Sequence, residues 1–437
     1  MMSDETALSS VLPSTNAAEA YAADLARLGR TTPIGPNDDA WLLLAHALGR
    51  FEALTDEALV RSAAQIADVV AIDALAGAQS SQSNLLRVAR ALRGLSISQD
   101  ASGLGSEATC NELVIAMRSV VEEMEIAGTF GLAYASLHGL LGAFAPRISL
   151  ETRGGILAHQ GRAVRQLGHV DFARAHYEAA RTAGEACDAH DLISRAFLGL
   201  GNLGVTRGNY PHAREQFARA LEHADWSHDA ELIRNAHHGL MHCSIVSSDL
   251  DAALVHGWNV LRLCISPDAR AEALMNLAEV CRLTGELDAA MRVFAVAMEW
   301  STNRSVRLHA ASGALHVAVT LERQSDARAY EAEITELLPT IADVYTRANL
   351  GVEIADSLFR LGDTLAAEHM MRVATALASS HAFHEVSHRA EQVRSTWTPA
   401  TVTWPSKHAD AVPTLSVRSE DFRTVLRSLK GLTAAAL

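Results

Sequence analysis

The sequence predicts an all-α chain, an α-α superhelix of six or seven stacked helix pairs with extra helices at both ends. Two observations carry this. First, a small residue, usually glycine, is followed five positions later by alanine at Gly128/Ala133, Gly168/Ala173, Gly208/Ala213, Ser248/Ala253, Gly285/Ala290 and Gly362/Ala367. The first four starts stand 40 residues apart, the next step is 37, and the last step of 77 has room for one degenerate unit. Self-similarity at this period marks a stacked array of small helical units. Second, the chain is 49% hydrophobic but only 5% aromatic, and β-branched runs bounded by turn signals are scarce, a balance that suits closely packed helices better than sheets.

Residues 1–36 are rich in Ser, Thr, Ala and Pro, with Pro13, Pro33 and Pro36 as breakers, and read as a flexible arm. Asn37 and Asp38 then look like a helix start, with acidic groups set against the positive end of a helix dipole. Helical pattern follows to about Leu48, from Asp56 to about Val70 and from Ser83 to Leu95, before a Ser/Gly-rich connector at 96–106. Residues 37–105 thus hold divergent repeats or an end cap, and 106–395 the repeat array. Residues 396–418, with Pro399, Pro405 and Pro413, read as a linker, and 419–437 as a segment holding one amphipathic helix. The stripe of that helix, Phe422, Val425, Leu426 and Leu429, needs a partner surface. Docking on its own array as a cap is one option; a tethered homodimer or partner contact is the other.

Within the array the best unit carries Phe197, Leu200, Gly201 and Gly204 in its first helix, Gly208-Asn209-Tyr210 at the turn, and Ala213, Phe217 and Ala220 in its second. The unit at Gly285 has Leu274, Leu277, Ala278, Cys281, Leu287, Ala290, Phe294 and Ala297; the one at Gly168 keeps Leu157, Gly161, Val164, Ala173, Tyr177 and Ala180. These residues resemble the tetratricopeptide-repeat pattern, W-x2-L-G-x2-Y followed by A-x3-F. Small residues at 161, 201 and 278 let paired helices approach, and the rings at 177, 217 and 294 fill the space between units. The repeat is longer than that family's usual 34 residues, and Asp225 stands where a closing proline is common. The resemblance is to long-repeat bacterial arrays, and covers roughly residues 110–380.

It implies a binding surface rather than an active site, along the first helix of each pair, one residue on from the close-packing position. In the best unit that stripe is Arg195, Leu198, Asn202 and Val205; elsewhere it gives Arg118 and Glu122, Arg162 and Arg165, His238 and His242, Glu279 and Arg282, and Asp356 and Arg360. Arg162, Arg165, Arg195, Asn202, His238 and His242 are the expected ligand contacts. Guanidinium forks grip carboxylates through charge-assisted bonds, and an Asn amide both donates to and accepts from a peptide backbone. The expected function is a non-enzymatic scaffold or adaptor binding a protein or peptide, with an acidic segment in an Arg-lined groove. The alternative is a ligand- or peptide-responsive sensory module of a bacterial transcription or signalling system.

Other chemistries find little footing. The net charge of −14 argues against nucleic acid and anionic lipid as general partners. Five scattered cysteines, the lack of a secretory start and the shortness of the apolar runs suggest a soluble cytoplasmic protein without cofactor. The GxGxxG string from Gly199 to Gly204 lies inside a repeat helix and follows no strand. His384-Glu385-Val386-Ser387-His388 spells HExxH, but zinc needs a third protein ligand and Glu391 occupies the place of the extended motif's glycine. His238 and His242, four apart beside Cys243, form a second metal-like pair with no further ligands nearby.

Overall fold

The computed structural model describes residues 82–97, 107–341, 343–381, 383–398 and 419–431, together with Ala67. The arm at 1–36, most of the helical pattern expected over 37–70 and the segment 399–418 lie outside the described residues. All the described regular structure is helical. Contacts divide the chain into two compact units, Met1–Ala236 and His237–Leu437.

The first unit holds α1 (Gln82–Ile97), α2 (Glu107–Ile126), α3 (Phe130–Phe144), α4 (Leu150–Gln166), α5 (Val170–Cys187), α6 (His190–Thr206) and α7 (Tyr210–Ser227). The division falls inside α8 (Ala230–Val246). The second unit continues with α9 (Leu250–Leu263), α10 (Pro267–Leu283), α11 (Leu287–Trp300), α12 (Arg304–Thr320), α13 (Gln324–Leu337), α14 (Val344–Arg360), α15 (Thr364–Ser380), α16 (His384–Ser395) and α17 (Glu420–Lys430). Within each unit successive helices pack in pairs, such as α4 with α5, α6 with α7, and α14 with α15.

The five-residue spacing has a plain structural cause. Its first residue closes the first helix of a pair in the left-handed conformation, with φ from 69° to 87° at Gly128, Gly168, Gly208, Gly285 and Gly362. The next amide then reaches back to a carbonyl five residues earlier, as from Asn209 to Gly204 at 2.8 Å and from Glu286 to Cys281 at 2.9 Å. This is the Schellman closure, which glycine adopts without strain. The alanine five positions on lies in the first turn of the second helix, fully buried against the first. A Cβ on Gly204 would stand only 3.0 Å from the Ala213 Cα, so larger residues at either place would part the helices.

The degenerate unit is present as α12 and α13. Its turn residue is Glu322 (φ 58°), and Ala327 follows at the same spacing; Ser248 does the same work at φ 59°. An L-residue in this region carries a steric cost that glycine avoids. Glu322→Gly is therefore expected to raise stability by about 0.5–1 kcal/mol, read as a higher denaturation midpoint. An unchanged or lower midpoint would mean that the turn is not strained.

The rings expected between units are there. A Cβ on Gly161 would meet the Tyr177 ring at 2.9 Å, one on Gly201 the Phe217 ring at 2.6 Å, and one on Gly313 the Phe294 ring at 2.4 Å. The C-terminal helix α17 docks on α9 and α11 of its own second unit, burying Phe422, Val425, Leu426 and Leu429. Four of the five cysteines are buried, and Cys187 is exposed. No described helix is long and apolar enough to cross a membrane.

Candidate functional site

In the first unit α2, α4 and α6 lie side by side, so their corresponding faces form one surface. Arg162, Arg165, Arg195 and Asn202 belong to this unit, whereas His238 and His242 belong to the second. Asn202 and the Arg162 side chain are exposed, and Arg165 and Arg195 are partly covered. Arg118 of α2, Arg162 of α4 and Arg195 of α6 all act electrostatically on His159 of α4. Burial, reinforced by these three guanidiniums, holds its imidazole down to about 3. His159 is neutral at pH 7 and its Nδ1 has no hydrogen-bond partner.

The arginines are only loosely satisfied. Arg162 Nε lies 3.0 Å from Glu125 Oε2, a contact that lacks hydrogen-bond alignment. Arg195 reaches Asp229 at 3.4 Å and Asp191 at 4.0 Å, and the buried Nε atoms of Arg118 and Arg165 have no partner. Burial and the nearby Arg195 depress the Arg118 guanidinium, as expected of like charges gathered in a partly desolvated place. Glu125 is buried, and burial pushes its carboxyl up despite Arg162. The surface therefore gathers guanidiniums with carboxylates among them: Glu125 against Arg162, Asp191 and Asp229 against Arg195, and Glu122 acting on Arg118.

The second unit forms a recess of about 380 Å³ on the equivalent face, between α10, α12, α14 and α16. Carrying the Arg195–Leu198–Asn202 register forward gives Met275 and Glu279, then His309, Ser312 and His316, then Asn349, Val352 and Asp356; all of these line it. The stripe at Glu279, Arg282 and Asp356 is legible in the sequence. His309, Ser312 and His316 are missed because Glu322 hides the unit that carries them, although Ala327 signals it.

Much of this recess is internally paired. Arg282 Nε donates to Glu279 Oε2 at 2.8 Å, and Asp356 accepts from Arg360 at 2.9 Å and from Trp397 Nε1 at 3.1 Å. Arg389 Nη2 donates to the Asn349 carbonyl at 2.7 Å and also to its side-chain oxygen, while Nη1 lies 3.4 Å from Glu353. Desolvation pushes the Glu353 carboxyl up against the pull of Arg389, although half of that side chain is exposed. Burial, then Arg282 and Arg360, hold His316 down to about 4. Opposite charges alternate across the recess, which suits a polar ligand without large net charge.

A larger recess, about 560 Å³, lies on the other side of the first unit, between α5 and α7 over α6. Its arginines are closely engaged: Arg174 with Asp171 at 2.9 Å, Arg181 with Glu178 at 2.9 Å, and Arg219 with Glu215 at 2.7 Å. Size alone does not make it the better anion site.

The metal-like motifs stay scattered. His384 and His388 are exposed; His388 contacts Gln392, and Glu385 accepts the Tyr345 hydroxyl at 2.7 Å. His238 and His242 are also exposed, and burial lowers the His242 imidazole. Among the described residues no three His, Cys, Asp or Glu side chains gather as a metal would need.

No family model matches the chain. No curated protein matches it either. Among solved structures it is similar to the apo form of RapI, at 13% identity over 77% of this chain and 98% of that one, with a TM-score of 0.49. A Rap protein complexed with Competence and Sporulation Factor gives 11% identity, 79% and 99% coverage and a TM-score of 0.48. BtubC (BKLC) from P. vanneervenii gives 17% identity, 50% and 93% coverage and a TM-score of 0.41. Likenesses this distant identify neither a family nor a partner.

Proposed function

We propose that the α2–α4–α6 face binds a protein or peptide segment bearing a carboxylate, and that the protein is a non-enzymatic scaffold or adaptor. This reading is supported by the side-by-side placement of α2, α4 and α6 and by Arg118, Arg162 and Arg195, from these three first helices, all acting electrostatically on the neutral His159. Like charges gathered at a partly desolvated place repel one another, and an incoming anion relieves that repulsion. Arg195 is only loosely held, with its own carboxylates at 3.4 and 4.0 Å. Asn202, two turns further along α6, is placed for a peptide amide.

The test is parallel capture of partners from native lysate by the full chain and by an Arg162→Glu, Arg165→Glu, Arg195→Glu variant. A partner held by the parent and lost by the variant is the expected result. Partners kept equally by both would remove this face from the interaction.

The second-unit recess supports the regulatory alternative, in which a small polar ligand seats among Asn276, Ser312, His316 and Asn349. A ligand-dependent rise in melting temperature, abolished by Ser312→Trp, would favour that reading over a rigid scaffold.

A further inference from the structure

The repeat register exposes a groove made for a helix. Between α5 and α7 the first unit carries Arg174, Glu178, Gln216 and Arg219. The same register positions on α9 and α11 are Leu254, Trp258, Val293 and Val296. One second-helix groove is thus charged and open, while its counterpart is apolar and filled by α17. Phe422, Val425, Leu426 and Leu429 join one buried core with Leu254, Val293 and Val296, against which Trp258 packs half-buried. Both ends of the helix are tied. Asp251 accepts the Ser419 amide at 3.0 Å, and Lys430, one of only two lysines in the chain, meets Glu286 at 2.8 Å.

We propose that this groove is an exchange site, in which the 419–430 helix of a second copy replaces the chain's own, so that the protein dimerises by swapping α17. The chemistry of the occupant is already on display, since a second copy supplies the same stripe, the same Ser419 amide and the same Lys430. The ties run to residues 168 and 144 positions earlier in the chain, so only the intervening segment distinguishes a helix seated at home from one seated on a neighbour. Residues 399–418 reach at most about 70 Å when fully extended, enough to allow either. A helix of 11 residues is too short to persist alone in water, so an unseated α17 needs a groove, and an emptied groove exposes Trp258, Val293 and Val296. Tethering favours the home site in dilute solution, and concentration favours exchange.

Two full-length variants test this together. Phe422→Asp spoils the helix and leaves the groove. Trp258→Glu with Val296→Arg spoils the groove with the kinds of residue that the first unit carries at those positions, and leaves the helix. Light scattering of the mixture is expected to show a one-to-one complex that neither variant forms alone. A mixture that stays monomeric while both variants keep their helical circular dichroism overturns the proposal. The unaltered chain gives a second reading that needs no groove variant. Isotopically light and heavy preparations, concentrated together, are expected to yield mixed dimers by native mass spectrometry, and Phe422→Asp to abolish them. A parent chain that stays monomeric at every concentration, or dimers that survive Phe422→Asp, would also overturn it.

Discussion

Gly199→Ala is expected to destabilise the first unit by about 3 kcal/mol, the upper end of what overpacking costs. The added Cβ would fall 2.2 Å from Tyr177 Cε1 and 2.4 Å from Cδ1. The ring has nowhere to go, because on its other side Gly161 already approaches so closely that a Cβ there would stand 2.9 Å away. Tyr177 is itself buried, so backbone must shift to relieve the clash. The check is a double-mutant cycle with Tyr177→Leu, read by chemical denaturation. If the ring is the obstacle, the paired variant recovers at least about 1 kcal/mol relative to the sum of the singles. Additive losses would place the damage elsewhere.

The second large effect is acid lability centred on His176. This side chain is 1% exposed, its Nδ1 meets the Phe172 carbonyl at 2.9 Å, and its ring stands edge-on to Tyr134 and Phe172. Nδ1 therefore carries the proton, and Nε2 is left buried without a partner. Burial holds the imidazole down to about 4, below its ordinary 6.5. Between those values the unfolded chain binds a proton that the folded chain refuses. The contribution is therefore fully present above pH 6.5 and is lost as pH falls toward 4. The slope for one such group approaches about 1.4 kcal/mol per pH unit. His159 and His316 shift in the same direction, but both are partly exposed and solvent screening weakens their share. Urea midpoints are expected to fall across this window, and His176→Phe, which keeps an aromatic ring and removes the titration, to flatten the fall. An equal fall in both proteins would acquit His176.

Much of the fold was legible because one steric demand recurs at each turn: a left-handed residue, then an alanine under the facing helix. Even where glycine is replaced, at Ser248 and Glu322, the alanine at 253 or 327 keeps the spacing. The division inside α8 leaves no comparable mark, since it depends on how contacts are distributed rather than on any single turn. The seat of α17 was hidden for a related reason. The sequence shows the apolar stripe, whereas its groove emerges only when Leu254 and Val296 are set against Arg174 and Arg219 in register.

For the candidate site, helical spacing placed Arg162, Arg165 and Arg195 along one expected stripe of α4 and α6. His159 escaped notice because it stands one position off the stripe, at the place that Gly199 holds in the next unit. Nothing in the sequence marks it as the group on which three guanidiniums act; that follows from the side-by-side placement of α2, α4 and α6. His238 and His242 share a helical face by the same spacing and belong to the other unit.

The central claim is that the α2–α4–α6 face is a carboxylate seat, and calorimetric titration of the full chain tests it most directly. The probes are acidic peptides prepared once with a free C-terminal carboxylate and once as the amide, measured against the parent and Arg195→Glu. The carboxylate form is expected to bind at least about tenfold more tightly than the amide, equivalent to about 1.4 kcal/mol, with the difference erased in Arg195→Glu. Equal affinity for acid and amide in the parent, or an acid preference that survives Arg195→Glu, would contradict it.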